Sequence, residues 1–561
     1  MPAEKHVASA SIKVSGQRLD PEEMGNVEKI EVRNYVGLPD MATIRMVDPE
    51  GRHVADPPFF IGDEIEILLG DVEAPNPSPV FTGEIVTFEP EFTTSAATIA
   101  VRAYDKSHRL HRSRRSATFQ DMTLSDVVQK VVGENGLQTG TIDSTPTVHP
   151  FLQQSMESDL DFINRLAALE NCEFGFSEGK AFLQSSRNGG GTVPTLSWRQ
   201  NVKSFKPRMS AAQQHDKVKV SSYDPVSRAA VVGEATQPGA IPRAAQEVRD
   251  RAASFGASEL LVSDRVANTA DEARTIAQST LDKLASGSFE AEGTMEGNPA
   301  VKAGGKIKLE GFGRFDGEHS LTSVTHVYGH GDFRTRFAIS GRNPRTLTDV
   351  MRPKAERDWG AGGLVIGLVT NIQDPESLGR VRVKFPTLGD TIEGIWARVA
   401  LPGAGPDAGL SFMPQIDDEV VVGFEHGDTR RPVVLGALHN AVDKPHANMR
   451  GQQDGGSLVI YGRQDAEIDL KKQLVIHAKD AMTVKIDGGD SGQGDYKQEN
   501  AGAFELKAGT TMKIESTGEL TLKSSAGITV EATGPLKLKG ATVDIEASAT
   551  VNVKGSLINI G

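Results

Sequence analysis

Residues 504–561 read FELKAGTTMKIESTGELTLKSSAGITVEATGPLKLKGATVDIEASATVNVKGSLINIG, and this stretch decides the fold. Its apolar residues lie two positions apart, and the pairs recur about every eight residues. Alternation with a period of two predicts short strands with one buried face, and a fixed repeat of such strands predicts a solenoid or β-helix. The pairs are Phe504/Leu506, Met512/Ile514, Leu520/Leu522, Ile528/Val530, Leu536/Leu538, Val543/Ile545, Val551/Val553 and Ile558/Ile560.

One such strand offers only two apolar side chains to a core, too few to fill a β-helix made by a single chain. We therefore expect a homotrimer in which three copies face each other across a threefold axis and each copy supplies one wall. The paired residues are then the core of the needle. At a strand spacing of about 4.7 Å, eight repeats make a rod roughly 35–40 Å long. The alternatives are a flat single-chain solenoid and an irregular tail.

The composition and charge of the chain argue against several classes of function. The chain has 561 residues and a net charge of −14, which argues against general affinity for nucleic acid or an anionic membrane. Its single cysteine, Cys172, excludes an intramolecular disulfide framework and favours assembly in a reducing compartment. The first residues lack an apolar segment of signal-peptide length, and no run of eighteen apolar residues occurs. We expect assembly in the cytoplasm and export by a route without a cleaved signal.

The pattern predicts a mainly β protein with four further parts before the needle. Residues 1–345 form a region of short strands with inserted helices, in which about 7–101 indicate an all-β barrel or sandwich. Residues 346–363 form a linker, 364–440 a five-stranded barrel of the OB type, 441–457 a bridge and 458–561 the strand repeats. Helices are predicted after Thr123, after Ser158 and after a capping box that joins Thr269 to Glu272. Only this last helix is expected to interrupt the strands of residues 218–341.

Three patterns have a functional and a structural interpretation. Residues 175–179 (GFSEG) match the G-x-S-x-G elbow of serine hydrolases, but a strand follows instead of a helix, which favours a hairpin tip. The basic segment 106–115 (KSHRLHRSRR) suits a solvated or subunit-facing patch that pairs with acidic groups on a partner. A site for phosphate or nucleic acid is less favoured, because few aromatic residues lie nearby. Similarly, Arg380, Arg382 and Lys384 are expected to be a solvated strand face.

The acidic segment from Asp487 to Asp495 (DGGDSGQGD) interrupts the strand repeat once. Its carboxylates could bind Ca²⁺, but it lacks the periodic spacing of calcium loops, so a loop bulging from the needle is the preferred interpretation. No metal-ligand motif, phosphate-binding loop or nucleophile–base pair is evident by spacing. We expect no catalytic residues, no cofactor and no metal.

Several segments resemble VgrG-type spike proteins and phage late-control baseplate proteins. The hub motifs are YDKSHRL (104–110), TFQDMT (118–123) and SDLDFINRLA (158–167). The OB motifs are GLVTNIQDPESLGRVR (367–382), MPQIDDEV (413–420), FEHGD (424–428) and RPVVLG (431–436). The resemblance covers nearly the whole chain, and the OB motifs are its most specific part.

This resemblance implies the central spike of a contractile injection system. Residues 1–345 would be a fused baseplate hub with two β-barrels in a trimeric torus and inserted helices, followed by the OB domain and by the spike over residues 458–561. The implied partners are the inner tube protein, baseplate proteins, a PAAR-type tip protein and effector cargo, with membranes met only by puncture. The bridge is too short for the lysozyme of some relatives. The end lacks histidine, so Asn559, Ile560 and Gly561 are expected to dock a separate cap.

The alternatives are a phage tail-associated cell-wall hydrolase and a trimeric adhesin. Among injection systems, the fusion of hub and spike favours type VI secretion or extracellular particles over phages that encode the two separately. The compact length favours a phage-tail-like particle.

Overall fold

The computed structural model describes residues 8–71, 77–94, 96–185, 193–239, 241–339, 363–387, 393–406, 408–445, 460, 466–487 and 494–560. The chain divides into two compact units, Met1–Tyr461 and Gly462–Gly561. The predicted linker, apart from Gly363, and most of the predicted bridge lie outside the described residues. Among the described residues, no helix is both long and apolar enough to cross a lipid bilayer.

The first barrel is built from the strands that the alternation of apolar residues predicts, and their inward side chains are buried. A long strand, β6, was not predicted, because Pro79, Gly83 and Pro90 resemble turn signals. Gly83 is required there, since a Cβ would lie 2.2 Å from the Tyr104 carbonyl oxygen. The elements are β1 (Ala8–Val14), β2 (Gln17–Arg18), α1 (Pro21–Gly25), β3 (Val27–Tyr35), β4 (Met41–Asp48), α2 (Arg52–Ala55), β5 (Glu64–Asp71), β6 (Ser78–Phe92) and β7 (Ala97–Tyr104).

A small α+β insert follows with its own apolar core. Thr123 and Ser158 cap its two helices, as predicted, through hydrogen bonds from the backbone N–H groups of Asp126 and Asp161. Residues 175–179 form the tip of the β11–β12 hairpin, with Glu178 and Gly179 at positive φ, so the hairpin interpretation is confirmed. The elements are β8 (Arg114–Thr123), α3 (Leu124–Glu134), β9 (Gln138–Ile142), β10 (Val148–Ser158), α4 (Asp159–Leu169), β11 (Cys172–Ser177) and β12 (Lys180–Ser185).

The second barrel continues the sheet of the first. Strand β21 pairs with β3, which gives an eleven-stranded sheet in the order β14-β18-β22-β21-β3-β4-β7-β6-β5-β1-β2. The elements are β13 (Thr195–Ser197), β14 (Val202–Met209), β15 (Lys217–Asp224), β16 (Ala229–Ala235), α5 (Arg243–Ala252), β17 (Glu259–Val262), α6 (Ala270–Ser286), β18 (Phe289–Glu296), β19 (Lys306–Glu310), β20 (Gly317–Ser320), β21 (Ser323–Gly329) and β22 (Asp332–Ile339).

The prediction that one helix interrupts these strands is wrong, because α5 precedes α6. Helix α5 begins after Pro242 without a side-chain cap and buries only Ala244, Ala245 and Val248, so its sequence signal is weak. The capping box at α6 also differs from the prediction. Thr269 accepts a hydrogen bond from the Glu272 N–H, but the Glu272 carboxylate accepts one from the N–H of Asn268, one residue before the cap.

The OB prediction is confirmed by a five-stranded sheet in the order β24-β23-β28-β29-β25. Val381, Val383 and Phe385, which alternate with basic residues in the sequence, are fully buried in its core. The hairpin β26–β27 was not predicted. The elements are β23 (Val365–Asn371), β24 (Arg382–Lys384), β25 (Arg398–Val399), β26 (Gly403–Gly405), β27 (Ala408–Leu410), β28 (Glu419–Phe424) and β29 (Pro432–Ala437).

Candidate assembly interface

The second unit is a series of extended segments separated by bends. Bends fall at residues 509–510, 517–518, 525–526 and 533–534, one every eight residues, with six extended residues between them. This spacing agrees with the eight-residue repeat of the apolar pairs. Each repeat, hereafter an octad, is therefore one short extended segment and one corner.

The paired apolar residues of the octads stay exposed in the single chain. The first members of the eight pairs are 50–57% exposed, and the second members from Leu506 to Val553 are 62–73% exposed. Soluble proteins rarely expose so long an apolar stripe unless a partner covers it. The residues are Phe504, Leu506, Met512, Ile514, Leu520, Leu522, Ile528, Val530, Leu536, Leu538, Val543, Ile545, Val551, Val553, Ile558 and Ile560.

The backbone of these segments also lacks partners within the chain. Across residues 466–487 and 494–560, no segment pairs with another in a β-ladder, and no backbone–backbone hydrogen bond is formed. Extended backbone left unpaired is a template for strands of another chain. The expectation that each copy supplies one whole wall does not hold for these residues, because such a wall needs ladder hydrogen bonds between successive octads.

The opposite face of each octad is polar and charged. Ion pairs join residues two positions apart along one segment, as in Glu505–Lys507 (2.6 Å) and Lys513–Glu515 (2.5 Å). These side chains are 70–84% exposed, so each pair contributes little to the stability of a single chain. Their geometry shows that the charged positions share one face, which alternates with the apolar face.

The residues predicted to dock a tip protein are not brought together with any other part of the described chain. Ile560 is 94% exposed. Asn559 is also exposed, and Gly561 lies outside the described residues. Residues 488–493 of the acidic segment also lie outside them. No cluster of three or more His, Cys, Asp or Glu residues suited to a metal ion occurs in the part of the chain that the structure describes.

A buried ionic cluster that the sequence analysis missed joins the hub to the OB domain. The Arg430 guanidinium lies 2.9 Å from Asp428 Oδ2 and 2.6 Å from Glu272 Oε1, and it donates a hydrogen bond to the Val266 carbonyl oxygen. The Arg430 side chain is 8% exposed and that of Asp428 fully buried. Arg431 donates to Asn268 beside it. The cluster ties the turn before β29 to the first turn of α6.

The basic segments mostly find acidic partners within the chain. Lys106 pairs with Glu64, Arg109 with Glu84, and Arg115 with both Glu134 and Asp159. The expectation that residues 106–115 pair with acidic groups of a partner is therefore wrong for these three side chains.

In the OB domain, Arg380 pairs with Asp374 at 2.7 Å, and this guanidinium holds the pKa of Asp374 well below its usual range. Arg382 pairs with Glu393 and lies over the Trp396 ring. Both arginines are thus engaged within the domain rather than forming the free solvated face that was expected.

A second feature that the sequence did not reveal is a pair of buried carboxyl groups in the first barrel. Asp105 accepts hydrogen bonds from the N–H and the hydroxyl of Ser107, and its own N–H donates to the Asp40 carbonyl oxygen. Burial raises the pKa of Asp105 to about 6. Burial and the nearby charge of Asp105 raise the pKa of Asp40 well above its ordinary value. These groups favour protonation in the folded hub.

Comparison with known proteins identifies the family. Residues 4–329, more than half of the chain, match the family profile described as the Alg8 N-terminal domain. The chain belongs to this family. Residues 365–439 match a second profile, the type VI secretion system/phage-baseplate injector OB domain.

Curated relatives carry spike-protein names. The chain is similar to the type VI secretion system spike protein VgrG1b of Pseudomonas aeruginosa, with 25% identity over 165 residues, 27% of this chain and 20% of that protein. It is 38% identical to VgrG2a of the same organism over 71 residues, 12% of this chain and 8% of that protein. The chain thus spans a fifth or less of the length of these relatives. The predicted resemblance to VgrG-type spike proteins is confirmed.

Two solved structures superpose on parts of this chain. The c3393 protein of E. coli, described as a component of the type VI secretion system, superposes with a TM-score of 0.48 and 16% identity, over 76% of this chain and 99% of that one. The 43 kDa tail protein of prophage MuSo2 from Shewanella oneidensis gives 0.47 and 16%, over 59% and 98%.

Proposed function

We propose that this protein is the central spike and hub of a contractile injection system and that it acts as a homotrimer. The observation that carries the proposal is the octad repeat, whose apolar stripe is at least half exposed and whose backbone is unpaired in the described residues. A threefold arrangement would bury the stripe and pair the backbone at the same time. The spike names of the relatives support the same role.

The work of such a spike is mechanical. Three interleaved chains without free sheet edges resist bending and proteolysis, because each backbone group is paired with a neighbour. Force from the particle reaches the needle through the OB domain, and the Arg430 cluster stiffens the connection between hub and OB domain. We propose the domain limits that the sequence predicts: the hub over residues 1–345, the OB domain over 364–440 and the spike over 458–561.

The proposed partners are those of a spike: the inner tube protein, baseplate proteins, a PAAR-type tip protein docked on Asn559, Ile560 and Gly561, and effector cargo. We propose that the injection system to which this protein belongs is a phage-tail-like particle. Catalysis, a cofactor, nucleic acid and stable membrane insertion have no part in the proposal. The protein would be assembled in the cytoplasm and leave the cell as part of the particle.

Native mass spectrometry of the purified full-length protein tests the proposal. We expect a mass three times that of the chain, and binding of a PAAR-type protein that is lost when Ile560 is changed to Asp. A monomer at micromolar concentration would contradict the proposal. Zymography on peptidoglycan separates a spike from a cell-wall hydrolase, and cleared bands would overturn the mechanical role.

A further inference from the structure

One column of the repeat carries a sign pattern that the apolar pairs do not explain. In the first seven of the eight octads, the residue directly after the apolar pair is charged, and its sign alternates from one octad to the next. The members of this charge column are Lys507, Glu515, Lys523, Glu531, Lys539, Glu546 and Lys554. Solubility requires charged residues on this face, but it does not require that positive and negative residues alternate.

The structure places the column on the polar face. Lys507 and Glu515 each pair with the residue two positions earlier, which lies between the two apolar residues of the same octad. Extended backbone sends residues two apart to the same side, so the column lies opposite the apolar stripe. Its side chains are free to meet those of strands stacked above and below.

Those neighbouring strands must come from other copies of the chain. Successive octads do not pair with each other in the described residues, so the strand above any octad belongs to a second copy. Consider three copies that begin at the same height, each on a different face of a three-sided prism. If every chain moves to the next face at each bend, octad n of one copy lies directly beneath octad n+1 of another copy. Stacked strands lie about 4.8 Å apart, so their column residues are within reach of ion pairing.

The apolar pairs alone cannot hold this alignment. Because they repeat in every octad, one copy can slip by a whole octad and still present a pair to every neighbouring pair. The charge column responds differently: a slip of one octad places Lys beside Lys and Glu beside Glu. A slip of two octads restores opposite signs but leaves two apolar pairs uncovered at each end.

We propose that the charge column sets the axial register of three copies of this chain, each Lys pairing with the Glu of the adjacent octad on a neighbouring copy. The proposal rests on the proposed trimeric needle. It assigns a specificity role to surface charges that add little stability in one chain. It is the same device by which flanking charges select partners in coiled coils.

Cysteine cross-linking reads the register directly. In a Cys172→Ser background, Thr521→Cys and Thr529→Cys occupy equivalent polar positions in successive octads. In the proposed register, position 521 of one copy lies beside position 529 of the next, at a separation that a disulfide can span. The double variant should form covalent trimers on oxidation. Thr521→Cys alone should not cross-link, because position 521 meets its own counterpart on another copy only after a slip of one octad.

Variants with a rearranged charge column test whether its pattern of signs sets the axial register. Lys523→Glu with Glu531→Lys keeps composition and net charge but places like charges next to each other. We expect it to lower the yield of refolded trimer roughly tenfold at low salt. Salt at 1 M should recover the yield, since the screening length is then about 3 Å. Inverting the sign of all seven residues should restore wild-type assembly.

The matched control is Lys523→Gln with Glu531→Gln, which removes the charges without creating repulsion, and it should fall between wild type and the swapped variant. If the wild type is trimeric and the swapped variant assembles in the same register with the same yield, the register proposal is overturned while the trimeric spike stands. If the wild type is monomeric, both fail.

Discussion

The two compact units of this protein treat apolar side chains in opposite ways. In the first unit, strands such as β3 and β4 bury Ile30 and Ile44 almost completely against other strands of the same chain. In the second unit, residues of the same type, such as Ile514 and Ile528, are more than half exposed. Both regions show strand-like alternation, so alternation alone does not decide whether a chain can bury its own residues.

The difference lies in how many inward positions each segment supplies. The strands of the first barrel are mostly seven to fifteen residues long and pair side by side, so the chain closes around its own core. An octad supplies two inward positions and then bends. The first unit therefore buries its apolar residues within one chain, whereas the proposed needle would bury its own only against additional copies.

The largest effect is expected from a charge placed in the needle core. Leu522→Asp would bury three carboxylates around the proposed threefold axis, without cations to pair with them. We expect loss of the trimer in native mass spectrometry while the hub and OB domain remain folded. Thr521→Asp, one residue away on the polar face, is the control and should assemble normally. A normal Leu522→Asp trimer would rule out the packing.

A matched pair of truncations separates the two regions by concentration dependence. Leu69→Ala, in the core of the first barrel, should cost about 2–5 kcal/mol in the free energy of unfolding at any protein concentration. Leu520→Ala should lower the stability of the needle, whose unfolding midpoint should rise with protein concentration. Chemical denaturation at two concentrations measures both. Equal behaviour of the two variants would contradict the comparison.

Variants of the Arg430 cluster test the connection between the hub and the OB domain within the first unit. Arg430→Met would leave Asp428 buried without its cation, which should cost about 3–5 kcal/mol in the free energy of unfolding. Trimerisation should persist, because the cluster lies outside the needle. Arg274→Met removes an exposed pair with Asp271 on the same helix and should change stability by less than about 0.5 kcal/mol. Similar losses in the two variants would show that the cluster is not a structural link.

The buried carboxyl of Asp105 should give the smallest effect, visible as a pH dependence. Its pKa is 3.8 when unperturbed and about 6 in the folded hub, so between these values the folded state holds a proton that the unfolded state has lost. This group therefore reduces stability as pH rises through that window. In Asp105→Asn, thermal melts from pH 4 to 8 should lack this component.

The comparison variant for the pH series is Asp126→Asn. The Asp126 carboxylate is exposed, and its hydrogen bonds with Thr123 lower its pKa, so it contributes stability that is lost as pH falls. Because that loss falls at and below the ordinary value of 3.8, removing this carboxylate should leave the profile between pH 4 and 8 nearly unchanged. An unchanged profile in Asp105→Asn would contradict the assignment of the window to this carboxyl.

The sequence predicted those parts of the fold in which local pattern and final environment agree. The alternation in β3, β4 and β5, the caps at Thr123 and Ser158, and the alternation of Val381, Val383 and Phe385 in the OB domain all depend on neighbours along the chain. The family resemblance was readable for the same reason, since its motifs are contiguous segments.

The features that sequence reasoning missed depend on distant residues. The pairing of β3 with β21 unites two barrels through strands almost 300 positions apart, and no local signal marks it. Arg430 and Glu272 are 158 positions apart, so their contact was equally hidden. The proposed interleaving of the needle chains rests on the missing ladder between octads in the described residues. The repeat could not reveal it, because the same period suits either arrangement.

Hydrogen–deuterium exchange on the full-length protein, recorded together with its native mass, tests the central claim most directly. The claim is that the octads gain hydrogen-bonded structure only when three copies combine. We predict a particle of three chains in which amides of residues 504–560 exchange slowly, and rapid exchange of that region in Leu522→Asp while the hub stays protected. A monomer whose octads exchange slowly would contradict the account.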